Sequence, residues 1–206
     1  PLTVSGDNKN HDLNINGSLL GSANLIFSNK TQANFGTAYD GSSYNSDIII
    51  AGAGTNNNNV TLISNVSDNG TFLKSGSTIY LSSPSSIVNI NGANTLKGNI
   101  AVNDSDPTLT INANQSAVGT ITMGTGTLSL VLATDVTSLT FADNSESDWG
   151  TGSLVITGAG NNEISFGTDV NGLTEAQLAQ ITLNGSTPLI NSSGQIYTVE
   201  ISQSTF

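Results

Sequence analysis

The chain has no cysteine and no arginine, a single histidine and a single tryptophan, and four prolines in 206 residues. Each shortage removes a class of function. Without cysteine there is no disulfide framework, no thiolate metal site and no cysteine nucleophile. Nucleic-acid backbones are bound through Lys and Arg, and four scattered lysines supply little of that, so no nucleic-acid partner is expected. A polysaccharide lyase needs a cation for the substrate carboxylate and a base for its proton, and that equipment is equally thin here. No stretch approaches the ~20 apolar residues of a membrane-crossing helix, so no membrane insertion is expected. The first residue is Pro1 and no signal peptide is present, which reads as a processed mature chain or an excised fragment.

What fills the chain instead is uncharged and polar. Asn, Ser, Thr and Gly make up about half of it, while charged residues are 9%, against roughly 25% in an average globular protein. Disordered chains are rich in Pro, Glu and Lys and poor in β-branched residues. Here Pro is rare and Ile, Val and Thr are plentiful, the mixture that favours sheet. The length suits one module spanning residues 1–206. The charge is uneven. Residues 1–97 hold all four lysines and five acids, a net of -1; residues 98–206 hold ten acids and no lysine, a net of -10.

The dominant pattern is a short apolar–polar–apolar triplet. It occurs as Leu13-Asn14-Ile15, Val60-Thr61-Leu62, Ile79-Tyr80-Leu81, Val88-Asn89-Ile90, Ile100-Ala101-Val102 and Leu109-Thr110-Ile111. It continues as Ile121-Thr122-Met123, Leu128-Ser129-Leu130, Leu139-Thr140-Phe141, Leu154-Val155-Ile156, Ile164-Ser165-Phe166 and Ile181-Thr182-Leu183. A period of two means one buried and one wet face. Gly, Asn, Asp or Ser follows nearly every triplet and supplies the bend. Two or three such strands per turn give a coil of roughly 20–30 residues, the spacing of a solenoid. Sandwich strands are longer, averaging nearer 5–6 residues, and a thin solenoid core of stacked aliphatics needs few aromatics. Asn recurs just after a strand, at Asn16, Asn91 and Asn112, where side-chain amides can stack into a ladder. An echo links the segment starting at Ile50 with that starting at Ile156, through Gly52-Ala53-Gly54 and Gly158-Ala159-Gly160.

One helix is predicted, over residues 174–181. Thr174 is its N-cap, Gln177 completes a capping box, and Leu173 and Leu178 form the hydrophobic staple. Leu178 and Ile181 give it an apolar stripe. Its expected task is to cover the open end or part of the flank of the coil stack, so residues 173–206 read as a cap helix followed by a terminal strand. That strand carries Tyr197, Val199 and Ile201 on one face.

The stretch Trp149-Gly150-Thr151-Gly152-Ser153-Leu154-Val155-Ile156, followed by Ile164-Ser165-Phe166-Gly167 and Gly172-Leu173-Thr174-Glu175-Ala176-Gln177-Leu178, resembles bacterial surface proteins with autotransporter-associated β-strand repeats. Gly124-Thr125-Gly126-Thr127-Leu128 is similar to the Gly-x-Gly-Thr-Leu unit of those repeats, and the likeness covers about residues 119–194. The resemblance implies a right-handed parallel β-helix exported to the cell surface, with no catalytic residues.

The candidate sites are therefore few. His11 beside Asp12 reads as a surface residue of the chain start and not as a catalytic pair. Asp104 with Asp106, and Glu146 with Asp148, lie two apart as paired carboxylates can, but in turn-like sequence. Calcium is the one cofactor such acids allow, without the spacing of a known calcium loop, and no cofactor is expected. Trp149 reads as core or cap. The expected function is that of a non-enzymatic extracellular structural protein, self-associating head to tail into a surface filament. Leu2 and Val4 at one end and Tyr197, Val199, Ile201 and Phe206 at the other are its assembly residues, the second set acting as a strand donated to the next subunit. The alternatives are a monomeric adhesin binding surface glycans through rows of Thr such as Thr108, Thr110, Thr120 and Thr122, and a β-helix polysaccharide-active enzyme.

Overall fold

The computed structural model describes residues 1–5, 11–28, 31–51, 60–103, 105–160 and 163–199. They form a parallel β-solenoid of about seven turns, with almost no helix. The first coil contains β1 (Leu2–Ser5) and β2 (His11–Ile15), and the second contains β3 (Leu25–Ser28) and β4 (Thr31–Phe35). Next come β5 (Ile48–Ala51) with β6 (Thr61–Ser64), and β7 (Thr78–Ser82) with β8 (Ile87–Ile90). The fifth coil adds a third strand, running β9 (Asn99–Val102), β10 (Thr108–Ile111) and β11 (Gln115–Val118). The sixth repeats this with β12 (Ile121–Met123), β13 (Thr127–Leu132) and β14 (Leu139–Phe141). The seventh has β15 (Ser153–Thr157) and β16 (Ile164–Phe166). The last holds α1 (Glu175–Ala179), β17 (Ile181–Leu183), β18 (Leu189–Ile190) and β19 (Ile196–Tyr197).

Three faces result. The first is a sheet in the order β1-β3-β5-β7-β9-β12; the second stacks β2-β4-β6-β8-β10-β13-β15-β17; the third is β11-β14-β16. Register follows the apolar triplets. Ile79, Ile100 and Ile121 stand on one another, each 21 residues after the last. The corresponding step is 23 from Leu2 to Leu25 and 31 from Ile48 to Ile79, because the corners differ in length. That variation hides the repeat in the sequence while leaving the stack regular.

All twelve triplets lie in or across strands, and from the second coil onward their outer residues are buried. The core is a column of aliphatic layers with two aromatic clusters. Phe35 meets Phe72 and Tyr39 edge-on at 5.1 and 4.7 Å, and Phe141 stacks on Phe166 at 4.9 Å. Asn ladders run along the bends as the sequence implies: Asn112 donates to Asn91, and Asn91 to Asn65, each at 2.7 Å. The Gly52–Asn57 half of the sequence echo lies outside the described residues.

Candidate functional site

A solenoid of parallel strands has two ends, and every inter-strand hydrogen bond inside it leaves an unpaired counterpart at each end. The two ends of this molecule are built differently.

At the C-terminal end the first and third faces are closed by devices of their own, and the second face at one residue. Among the described residues no strand follows β12 on the first face. Its Ile121 N–H donates to Asn144 Oδ1 at 2.7 Å, and its Ile121 carbonyl accepts the indole N–H of Trp149 at 2.9 Å. Met123 N–H donates to the Asp148 carbonyl at 2.9 Å. Asn144 and Trp149 are both buried, so side chains stand in for the missing strand. In the next layer α1 occupies that place, and its buried Gln177 donates to the carbonyls of Asn144 (2.7 Å) and Ser147 (2.9 Å). On the third face β19 turns back antiparallel to β18, and Phe166 N–H donates to the Gly194 carbonyl at 2.9 Å. On the second face the Asn184-Gly185 turn, with φ of 48° and 87°, folds Ser186 back on the edge residue Leu183 through two hydrogen bonds of 2.8 and 3.0 Å. Positive φ at both central residues is the hairpin turn that Asn-Gly favours.

The N-terminal end has no such closure among the described residues. β1 pairs only with β3 and β2 only with β4. Val4, Leu13 and Ile15 are half-buried, whereas the residues stacked on them, Phe27, Ala33 and Phe35, are fully buried. In the last coil, by contrast, Ile181, Leu183 and Ile196 are all buried. The difference is what a missing neighbouring layer produces at one end and a cap prevents at the other.

The expected site residues fall into place unequally. Leu2 and Val4 lie on the open edge strand β1, with Leu2 59% exposed. Thr174 is the N-cap of α1 and closes the capping box with Gln177. Leu173 is buried and Leu178 half-buried. The helix is shorter than expected: it ends at Ala179, and Ile181 belongs to β17, because the backbone there pairs with β15. Gln177, not an apolar stripe, is its buried residue. The terminal strand also differs. β19 is only Ile196–Tyr197, its core residue is Ile196, and Tyr197 pairs with Leu189 of the same chain. Val199 is exposed, while Ile201 and Phe206 lie outside the described residues.

The carboxylates act as turn formers. Asp143, Asp148 and Asp169 accept the amides of Ser145, Gly150 and Asn171, two residues on, and Asp106 accepts Thr127 N–H from the next coil at 2.8 Å. The Ser145 hydroxyl and amide hold the Asp143 carboxyl below its ordinary pKa. Asp104 lies outside the described residues. Among the described residues no group of three or more His, Cys, Asp or Glu side chains is placed to hold a metal. His11 begins β2, opposite Thr31. One outward row of the second face reads Asp12, Gln32, Thr61, Ile87, Thr108, Ser129, Val155, Thr182 and the other Asn14, Asn34, Ile63, Asn89, Thr110, Val131, Thr157, both mixed rows and not Thr arrays.

Two features were not legible as sites. Asn144 and Gln115 look like turn residues, yet both are buried and their side-chain amides are bonded at oxygen and nitrogen alike. Gln115 accepts from Thr95 and Leu96 N–H at 3.0 and 3.1 Å and donates to the Gly92 and Ala113 carbonyls at 2.8 and 3.0 Å. No protein-family model, characterised protein or solved structure matches the chain.

Proposed function

We propose that the chain is an extracellular structural protein, a rigid β-solenoid rod whose copies join end to end at a cell surface. The contrast between the two ends carries this reading. A solenoid edge without a neighbouring strand presents backbone groups and a half-covered apolar layer that a neighbour can cover, and among the described residues β1 and β2 form such an edge. The closed first and third faces at the other end favour contact there by side chains over continuation of those sheets. The donated-strand form of the contact depends on Ile201 and Phe206, outside the described residues. The carboxylates serve turns and the side-chain amides serve the backbone, so we assign no catalytic role. The low charge, the absence of cysteine and the resemblance to surface repeats support an extracellular and bacterial setting.

A monomeric glycan-binding module is the second reading. It is favoured by an exposed groove of about 490 Å³ beside the Asn ladder, where Thr37, Asn65, Ser67, Asp68 and Asn91 offer amide, hydroxyl and carboxylate groups.

Negative-stain electron microscopy of the purified chain at physiological salt separates the two. End-to-end assembly gives filaments with an axial repeat of about 38 Å, the eight stacked strands of the second face at ~4.8 Å each. Discrete rods one subunit long at every concentration would discard the filament in favour of the monomeric module.

A further inference from the structure

The Asn ladder along the bend after the second face has a direction. Asn112 Nδ2 donates to Asn91 Oδ1, and Asn91 Nδ2 donates to Asn65 Oδ1, each at 2.7 Å. Every step spends one oxygen and one N–H, so the chain of amides ends on the side-chain nitrogen of Asn65. One coil further toward the N-terminus the same position is held by Gly36, which has no side chain to accept from it. Among the described residues the Asn65 amide nitrogen donates to no protein acceptor.

That end of the ladder opens into the groove of about 490 Å³, which spans the second, third and fourth coils. Its volume lies inside the roughly 300–1,000 Å³ of small-molecule sites. Asp68 spends Oδ1 on the Ala93 N–H at 2.8 Å, and Ser67 gives its hydroxyl proton to the Thr37 carbonyl at 3.0 Å. Both keep oxygen lone pairs for a ligand. The groove thus offers an amide donor at Asn65, acceptors at Ser67 and Asp68, the hydroxyl of Thr37, and a floor at the buried Val66.

The chemistry of these groups selects the ligand. An anion would meet the Asp68 carboxylate with no Lys or His among the lining residues to neutralise it, and like charges in contact are costly. A bare divalent cation needs several oxygen ligands, and Asp68 is the one carboxylate among the described lining residues. An apolar ligand would strip water from the Asn65 amide and the carboxylate and return no hydrogen bond. A hydroxyl donates and accepts at once. Two adjacent sugar hydroxyls answer both groups, one accepting from Asn65 Nδ2 and the other donating to Asp68.

We propose that this groove binds a neutral glycan and rejects acidic ones, with Asn65 as the donor and Asp68 as the acceptor that set the choice. This rests on the glycan-binding reading and names its ligand class and its seat. It does not require a monomer, because the groove lies on the flank of the rod and end-to-end contact leaves it open.

The test is an array of neutral and acidic oligosaccharides probed with the 206-residue chain, then titration of the strongest neutral binder against variants. Asn65, Asp68 and Asn112 are all exposed, so the fold should persist in each variant, with circular dichroism as the check. Neutral glycans should bind at least about tenfold more tightly than uronate- or sialate-bearing ones, since like-charge contact is worth several kcal/mol. Asn65→Ala should weaken the neutral glycan about three- to tenfold, as loss of one hydrogen bond does. Asp68→Asn should keep neutral binding and narrow the gap to acidic glycans, which a merely structural Asp68 would not do. Asn112→Ala breaks the ladder away from the groove and should bind as the parent does. Acidic glycans binding as tightly as neutral ones would overturn the ligand class. Neutral binding unmoved by Asn65→Ala, with selectivity unmoved by Asp68→Asn, would overturn the seat. The glycan-binding reading survives either result. An array on which nothing binds overturns the inference and that reading together.

Discussion

Gln115 shows how a polar residue can hold an apolar column together. Its side chain is fully buried, yet both amide atoms are used twice, bridging the corner of the fourth coil to the strand of the fifth. Substituting Gln115→Leu keeps the volume and takes the side-chain partner from the Thr95 and Leu96 amides and the Ala113 carbonyl, while the Gly92 carbonyl keeps the Thr95 hydroxyl at 2.9 Å. Each unsatisfied buried group costs about 1–3 kcal/mol, part of which relaxation recovers. We expect a loss of about 2–4 kcal/mol, read as a lowered urea midpoint with the slope unchanged. An unchanged midpoint would show that water replaces the amide. The sequence conceals this role because Gln115 follows Asn112-Ala113-Asn114 and reads as part of a polar bend. The Asn ladder was legible at Asn91 and Asn112, which recur at one position after their strands; Asn65 extends it, whereas the expected Asn16 lies beside Gly36, which has no side-chain amide to continue the ladder. Tyr39 is a residue that neither view explains. Its hydroxyl is buried without a partner, and burial pushes its pKa well above the usual tyrosine value.

Strands were readable where two large apolar residues flank a polar or small one, and mostly missed elsewhere. β3 and β5 bury Leu25 with Phe27 and Ile48 with Ile50, each pair around a further Ile, β4 buries Thr31 and the small Ala33 ahead of Phe35, and β11 buries Gln115 and Val118 around two exposed residues. Their place is set by the strands stacked on them, which is tertiary context overriding local pattern. The cap of α1 was legible because a capping box is a local hydrogen-bond circuit, while the helix end was not, since Ile181 satisfies a helical and an extended pattern alike. The closure of the first sheet was illegible altogether: Asn144 and Trp149 lie more than 20 residues from the strand they finish. Asn144→Ala tests that closure. It frees the Ile121 amide and the Ala142 carbonyl, which Asn144 holds at 2.7 Å each. Native-state hydrogen exchange should accelerate at Ile121 and Met123 while the amides of β7 and β9 remain protected. Global stability should fall by about 1–3 kcal/mol. Uniform acceleration through the whole first sheet would mean that the edge is not a local unit and that the stack opens as one.

The rod as a whole is acidic, with a net charge of -11 concentrated in the C-terminal half, while the β1 and β2 edge carries a half-covered apolar layer. Copies approaching end to end therefore feel two opposed effects. Long-range repulsion between net negative rods slows encounter and weakens the complex, and salt screens it with a Debye length of about 8 Å at physiological ionic strength. An end-to-end contact through the half-covered layer of Val4, Leu13 and Ile15 would be driven by removal of apolar surface from water, which salt does not screen and which sulfate strengthens. Raising sodium chloride from about 0.05 to 0.5 M should then tighten association, because the Debye length shortens from roughly 14 to 4 Å. Sodium sulfate at equal ionic strength should tighten it further. Sedimentation velocity across the two salt series reads both effects. An interface made chiefly of opposite charges would show the reverse slope, as counterions compete for it, and that result would move the contact from the apolar layer to Lys74 and Lys97, the two described lysines of the near-neutral half.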